Sequence, residues 1–329
     1  MRKFGTLGLF GLALAMAGMA AGSAAAVDLK LGHTLPPTHT HHKALMTFAD
    51  DVLKKSNGEL RIQVFPAEQL GNARDQIEAL IRGSQDMGYD GAGVMSQFFP
   101  KISVLDMPFM FTQFDELRKV FESPVGQGLA RELLEKRGLR LLAVSYYGAR
   151  QVSSNKPIEK VEDFKGLKIR TPQVKEWVDS FKALDASPTP IAFGEVYFAL
   201  QTGVVDAQEN PLSTIDAYKF YEVQKYIAMT NHQIGANYII VNEKKWKSLS
   251  PAHQKVLSEA AKSAMAAATA DVKKEDDALV KTLEGKGLTF FYPDDATKAA
   301  IKSAVQKTYG NYDDKWGKGT VDRIREVLK

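Results

Sequence analysis

Leu60-Arg61-Ile62-Gln63-Val64-Phe65 alternates apolar and polar residues and stops at Pro66, the period of a strand with one buried face. Upstream, Asp28-Leu29-Lys30-Leu31-Gly32 alternates in the same way. Between them Leu45, Phe48, Ala49, Val52 and Leu53 fall on one helical stripe that ends near Asn57-Gly58. Downstream, a helix carrying Ile77, Leu80 and Ile81 is closed by Gly83, and Gln85–Asp90 reads as a short strand. A β-α-β-α-β run of this kind predicts an α/β domain with mostly parallel strands.

The pattern recurs. A helix around Gly128–Lys136 ends at Gly138, and Leu139–Ser145 is an apolar strand. Gly166–Arg170 is a strand closed by Thr171-Pro172, and a helix from about Val174 to Leu184 precedes the short strand Thr189–Ile191. The helix Gly194–Gln201 precedes a strand at Val204–Ala207, and Asn237–Val241 is a further strand. Ser250-Pro251 then places an N-cap before a proline at the first helical position. From there a proline-free helical pattern runs to about Gly285, too long for an ordinary globular helix and suited to bridging two domains. Two α/β lobes joined by crossing strands and this helix are the expected architecture.

The N-terminus places Arg2 and Lys3 before an apolar run from about Leu7 to Ala20, then Ser23-Ala24-Ala25-Ala26-Val27. A basic start, an apolar run below the ~20 residues of a spanning helix and small residues before a cut predict a secretory signal, cleaved after Ala26. No later segment reads as transmembrane, so the mature chain is expected to work outside the cytoplasmic membrane without being embedded in it. The 329 residues contain no cysteine, which rules out disulfides, a lipid-anchoring cysteine and any thiolate nucleophile or metal ligand. Losing Arg2 and Lys3 from the 43 basic residues leaves 41 against 39 acidic ones. That near balance, with no basic run, argues against a nucleic-acid partner.

Ligands of open α/β sheets bind beyond the carboxyl ends of strands. Arg170 ends one strand, Arg150 lies just past Leu139–Ser145, and Asn210 follows Val204–Ala207. Two guanidinium groups and an amide can converge on one carboxylate, because the planar fork of arginine matches its two oxygens. The alternative is that each arginine pairs with a surface acid. His33, His39, His41 and His42 cluster where the first strand meets the first helix. The cluster lacks a zinc-enzyme pattern, so a metal site is not expected. Ligand contact is expected of one or two of these histidines, His33 and His39, and capping or surface roles are the default for the rest. There is no G-x-S-x-G elbow, P-loop or G-x-G-x-x-G fingerprint. No catalytic residue and no cofactor are expected.

The segment Ala186-Ser187-Pro188-Thr189-Pro190-Ile191-Ala192-Phe193-Gly194-Glu195-Val196-Tyr197 resembles the solute-binding proteins of tripartite ATP-independent periplasmic (TRAP) transporters, the DctP family. The likeness continues through Phe198–Gly203, Val205–Pro211 and Phe220–Lys225, with Gly166–Arg170 upstream. It implies a two-lobed periplasmic binding protein fold with mixed sheets, hinge strands and a long bridging helix. The expected division is 27–147 plus 236–275 for lobe I and 148–235 plus 276–329 for lobe II. The resemblance also implies that Arg170 forms a two-pronged salt bridge with the ligand carboxylate. Arg150, Phe193 and Asn210 would line the site, with Gln173, Tyr147 and His232 beside them. The implied partner is an ion-gradient-driven membrane permease, and no enzymatic activity is implied.

The motifs look closest to sialic-acid-binding members, which carry an acidic and a basic residue where this chain has Gly91 and Val94. That departure argues against sialic acid and for a smaller sugar or hydroxy acid, such as a uronate or aldonate, with a C4-dicarboxylate next. A binding protein that feeds a sensor, or an enzyme acting on the same acid, are the other readings.

Overall fold

The computed structural model describes residues 26–329, without the Asp277 side chain, so the expected signal segment lies outside the described residues. Its strands are β1 (Val27–Gly32), β2 (Leu60–Phe65), β3 (Met87–Gly91), β4 (Leu139–Ser154), β5 (Lys168–Thr171), β6 (Ser187–Pro190), β7 (Ala207–Pro211), β8 (Tyr226–Asn242) and β9 (Thr289–Phe291). They form one mixed sheet in the order β2-β1-β3-β8-β4-β7-β5-β6, with β9 on β8. β1 to β3 are parallel, as are β5 to β7, and these two sets flank the antiparallel pair β4/β8. The fold is thus a two-lobed α/β architecture, crossed by two long strands.

β4 and β8 are longer than their apolar ends suggest. Arg150 therefore sits inside β4 rather than past its end, opposite Pro211 and Gln233. Asn210 is likewise within β7, which starts at Ala207 where the sequence reading had ended it. The β4/β8 register slips between Tyr146 and Gly148. There Gly148 adopts φ +125°, and a Cβ on it would fall 2.6 Å from Pro211 Cβ. Only glycine combines that backbone with that space.

Local signals explain the helices. Asn72 and Asp75 form a reciprocal capping box for Ala73–Arg82, and Gly83 closes that helix in the left-handed region at φ +81°. Ser250 accepts from the His253 amide, and Pro251 opens a helix that runs unbroken to Gly285. At 1.5 Å per residue it is about 52 Å long. It packs on the Thr40–Lys55 helix and β4 near one end and on the Leu212–Ala217 helix and β9 near the other.

Apolar residues divide into one core under the first lobe (Leu45, Phe48, Val52, Leu257, Met265), one in the second (Val196, Leu200, Ile215, Phe220, Leu283) and a larger one that joins them. Leu53, expected on the buried stripe, drifts to its rim and is exposed. The C-terminal helices Asp313–Trp316 and Thr320–Leu328 cross back onto the Pro100–Asp106 turn and the Phe114–Glu122 helix of the first lobe.

Candidate functional site

Arg170 is the penultimate residue of β5, and Asn210 that of the parallel neighbour β7. Parallel pairing brings both to the same carboxyl edge of the sheet, and Arg150 reaches it from β4, antiparallel to β7. A cavity of about 130 Å³ opens there, lined by Tyr147, Arg150, Arg170, Gln173, Phe193 and Asn210 among others. Six of the nine expected residues therefore meet at one place.

The two arginines are treated differently. Arg150 donates from Nε to Glu209 Oε2 (2.6 Å) and from Nη2 to Glu209 Oε1 (3.0 Å), the Glu209 carbonyl (2.7 Å) and Asn210 Oδ1 (2.9 Å). Its guanidinium also stacks 4.5 Å from the Trp177 ring centre. Burial alone would raise the Glu209 carboxyl, but Arg150 and His232 outweigh it and hold that group below its ordinary value. The order extends behind the site, where Asn210 Nδ2 donates to Gln208 Oε1 (2.6 Å) and Gln208 Nε2 to Ser153 Oγ (2.7 Å).

Arg170 is 3% exposed, yet no carboxylate lies within ion-pair distance of it among the described residues. Its Nε and Nη2 both donate to the single carbonyl of Ile191, at 3.0 and 2.9 Å. Phe193 lies under the guanidinium, 5.4 Å from ring centre to Cζ. Burial, with Arg150 beside it, pulls this arginine down to about 10 despite the opposing influence of Glu209 and Glu68. A buried cation without a counter-charge is costly, and an anion entering the cavity would answer it.

Tyr147 faces the cavity with its hydroxyl held 2.8 Å from Thr214 Oγ1. Phe193 is fixed edge-on against Tyr218 at 4.6 Å, and Gln173 is exposed at the rim.

The three expected histidines do not line the cavity. His39 caps the Thr40–Lys55 helix by accepting from the His41 amide (3.2 Å), and its ring stacks on Tyr147 at 5.8 Å. His33 accepts from the Leu35 amide (3.1 Å) and faces His42 at 3.1 Å. Burial lowers His33 to about 3 and His41 to about 4, and lowers His39 as well, so these rings stay neutral at ordinary pH. His232 stands behind Glu209 Oε2 (3.1 Å) and Thr230 (2.8 Å). Among the described residues no group of three or more His, Cys, Asp or Glu is arranged to hold a metal.

Sequence reasoning missed Asp90, Asp106, Trp177 and Gln233, which also line the cavity. Asp90 ended a predicted strand, so the strand-end rule would have found it; Asp106 carries no such signal. Gly91 and Val94 line the cavity too.

A two-lobed α/β protein with a charged cavity at its crossing strands has the build of a solute-binding protein. A sequence model for the bacterial extracellular solute-binding proteins of family 7, DctP, matches residues 31–315, and the chain belongs to that family. The sialic acid-binding periplasmic protein of Vibrio cholerae is 36% identical over 319 residues, 97% of this chain and 98% of that one. The 2,3-diketo-L-gulonate-binding periplasmic protein of Escherichia coli is 36% identical over 256 residues, covering 77% and 78%. A TRAP periplasmic solute-binding protein of Roseobacter denitrificans with bound L-galactonate superposes with a TM-score of 0.86 at 30% identity, covering 93% of this chain and all (100%) of that one. The chain is thus a TRAP solute-binding protein of a periplasmic family, a carrier and not an enzyme. Among the described residues no helix is long and apolar enough to cross a membrane.

Proposed function

We propose that this chain captures a sugar-acid monoanion, an aldonate or uronate, and delivers it to a TRAP membrane permease. The observation that carries the reading is the buried Arg170 fork, spent on one carbonyl and facing the cavity. A ligand carboxylate there would take two parallel charge-assisted bonds. Asn210 and Arg150 supply further donors, Phe193 and Tyr147 pack the carbon chain, and Gln173 closes the rim. His33, His39 and His232 support these residues from behind. Relatives that bind L-galactonate and 2,3-diketo-L-gulonate support the ligand class.

The lobes, 27–147 plus 236–275 and 148–235 plus 276–329, close over the ligand about the β4/β8 crossing. Closure excludes water and strengthens the ion pair. The N-terminal segment acts as an export signal cut after Ala26, which agrees with a periplasmic family. A thermal-shift screen of the mature chain against organic acids tests the ligand. Aldonates or uronates should raise the melting temperature with concentration; a response to neutral or cationic solutes alone would overturn the reading.

A further inference from the structure

The cavity that holds Arg170 also holds two acids. Asp90, near the end of β3, accepts from the Gly91 amide at 2.7 Å. Asp106 ends the Pro100–Asp106 turn and accepts from Gln233 Nε2 at 2.7 Å. Both line the cavity, and neither has an ion pair among the described residues. The treatment of other buried acids differs: Glu209 has Arg150 at 2.6 Å, and Glu176 has Lys315 at 2.6 Å. Burial pushes Asp90 and Asp106 up to about 7, with a neighbouring acid adding to it in each, against the pull of Arg150 and the Gly93 amide on Asp106 and of the Gly91 amide on Asp90. The remaining cation on the lining, Arg74, is exposed and bound to Gln97 Oε1 at 2.7 Å, where solvent screens it.

We propose that Asp90 and Asp106 are the specificity wall of this site: they accept hydrogen bonds from ligand hydroxyls and reject a second carboxylate. The inference rests on the reading of Arg170 as the carboxylate anchor. Ionised or neutral, a carboxyl offers acceptor oxygens, so an O–H group is a partner it can take in either state. A second carboxylate at the far end of the ligand offers acceptors only, so it is repelled by each aspartate that is ionised and must draw a proton onto an aspartate to bind beside it. An acid without hydroxyls leaves each aspartate with only its protein donors, the Gly91 amide for Asp90 and Gln233 for Asp106. The cavity is therefore polarised, with guanidinium groups from β4 and β5 facing carboxyls from β3 and the Pro100–Asp106 turn.

An aldonate and its aldarate test this cleanly, because they differ only in a terminal CH₂OH or carboxylate. Calorimetry would compare galactonate, galactarate and hexanoate on the unaltered chain, Asp90→Asn, Asp106→Asn and Arg170→Ala. The unaltered chain should prefer galactonate to galactarate by about 100-fold or more, and to hexanoate by a similar factor. Asp90→Asn or Asp106→Asn should shrink the aldonate–aldarate ratio at least tenfold, chiefly by tightening galactarate. Equal affinity of the unaltered chain for the two acids would overturn the inference, whether or not the variants fold. So would a ratio unchanged within twofold in both aspartate variants. Arg170→Ala keeps the two readings apart. If it abolishes galactonate binding while the ratio stays fixed in the aspartate variants, only the wall falls; if it binds galactonate normally, the anchor falls and the wall with it.

Discussion

Arg150 and Glu209 face each other from adjacent antiparallel strands in a two-pronged ion pair, their side chains 8% and 0% exposed. Arg170, one strand further along, has no such partner among the described residues. The chain therefore neutralises one guanidinium internally and leaves the other for whatever enters.

Removing the internal partner should damage the fold. Glu209→Gln leaves Arg150 buried without its counter-charge and should cost about 3–5 kcal/mol. Urea unfolding of the ligand-free chain measures this; a cost below about 1 kcal/mol would show that the pair is not structural.

Removing the unanswered guanidinium should damage binding and spare the fold. Arg170→Ala should lose about 2–5 kcal/mol of affinity for the acid, and Arg170→Lys should stay weak because a point charge cannot reproduce the fork. The ligand-free melting temperature of Arg170→Met should equal or exceed that of the unaltered chain, since an unpaired buried charge is gone. Calorimetry and a melting scan check both halves.

The two aspartates set a pH window. Their folded carboxyls titrate near 7, against about 4 in the unfolded chain. Between these values the folded state binds more protons. Their contribution is therefore fully present below about pH 4 and is lost as pH rises through 7. Glu209 works in the opposite sense: its folded carboxyl lies below its ordinary value, so its contribution holds above about pH 4.5 and is lost on acidification. Denaturation across pH 4 to 8 should show Asp90→Asn and Asp106→Asn flattening the decline toward neutrality. A decline of the same slope in both variants would contradict the assignment.

Gly148 should tolerate no side chain. At φ +125°, with Pro211 Cβ 2.6 Å from any added carbon, Gly148→Ala should cost about 1–3 kcal/mol of backbone strain plus the displacement of Pro211. Gly128, with nothing near its added carbon, is the control, and Gly128→Ala should be neutral or slightly stabilising. Equal melting temperatures for the two variants would remove the argument.

The parts of the fold that could be read in advance are those with one dry face and one wet face. Leu60–Phe65 alternates because β2 is a half-buried strand, and Ser250-Pro251 marks the start of the long helix by capping chemistry. The middles of β4 and β8 gave no such signal. Tyr147, Arg150 and Gln151, and Thr230, His232 and Gln233 opposite, are polar and yet buried, and their hydrogen bonds go to neighbouring protein groups. A polar run that is buried looks like a loop, so Arg150 was expected past a strand that in fact contains it. The histidines misled for a related reason: the density of the N-terminal cluster marks a packed junction, while the direction of His39 and His41 depends on contacts with Tyr147 and Tyr146 that lie far away in the chain. Arg170 was legible because a short parallel strand ends where the site begins.

The Pro251–Gly285 helix is also fastened along its length: Tyr146 N donates to Thr269 Oγ1 at 3.0 Å, and Thr40 Oγ1 donates to Glu275 Oε2 at 2.6 Å. A rod attached to both halves of the molecule and pinned near its middle behaves as a leaf spring. Any rotation of one half on the other must flex it or slide along it, and spreading that flexure over about 52 Å keeps the distortion at each peptide small. The rest angle between the halves is then a mechanical property of the whole backbone of the molecule, separate from the chemistry that recognises the solute.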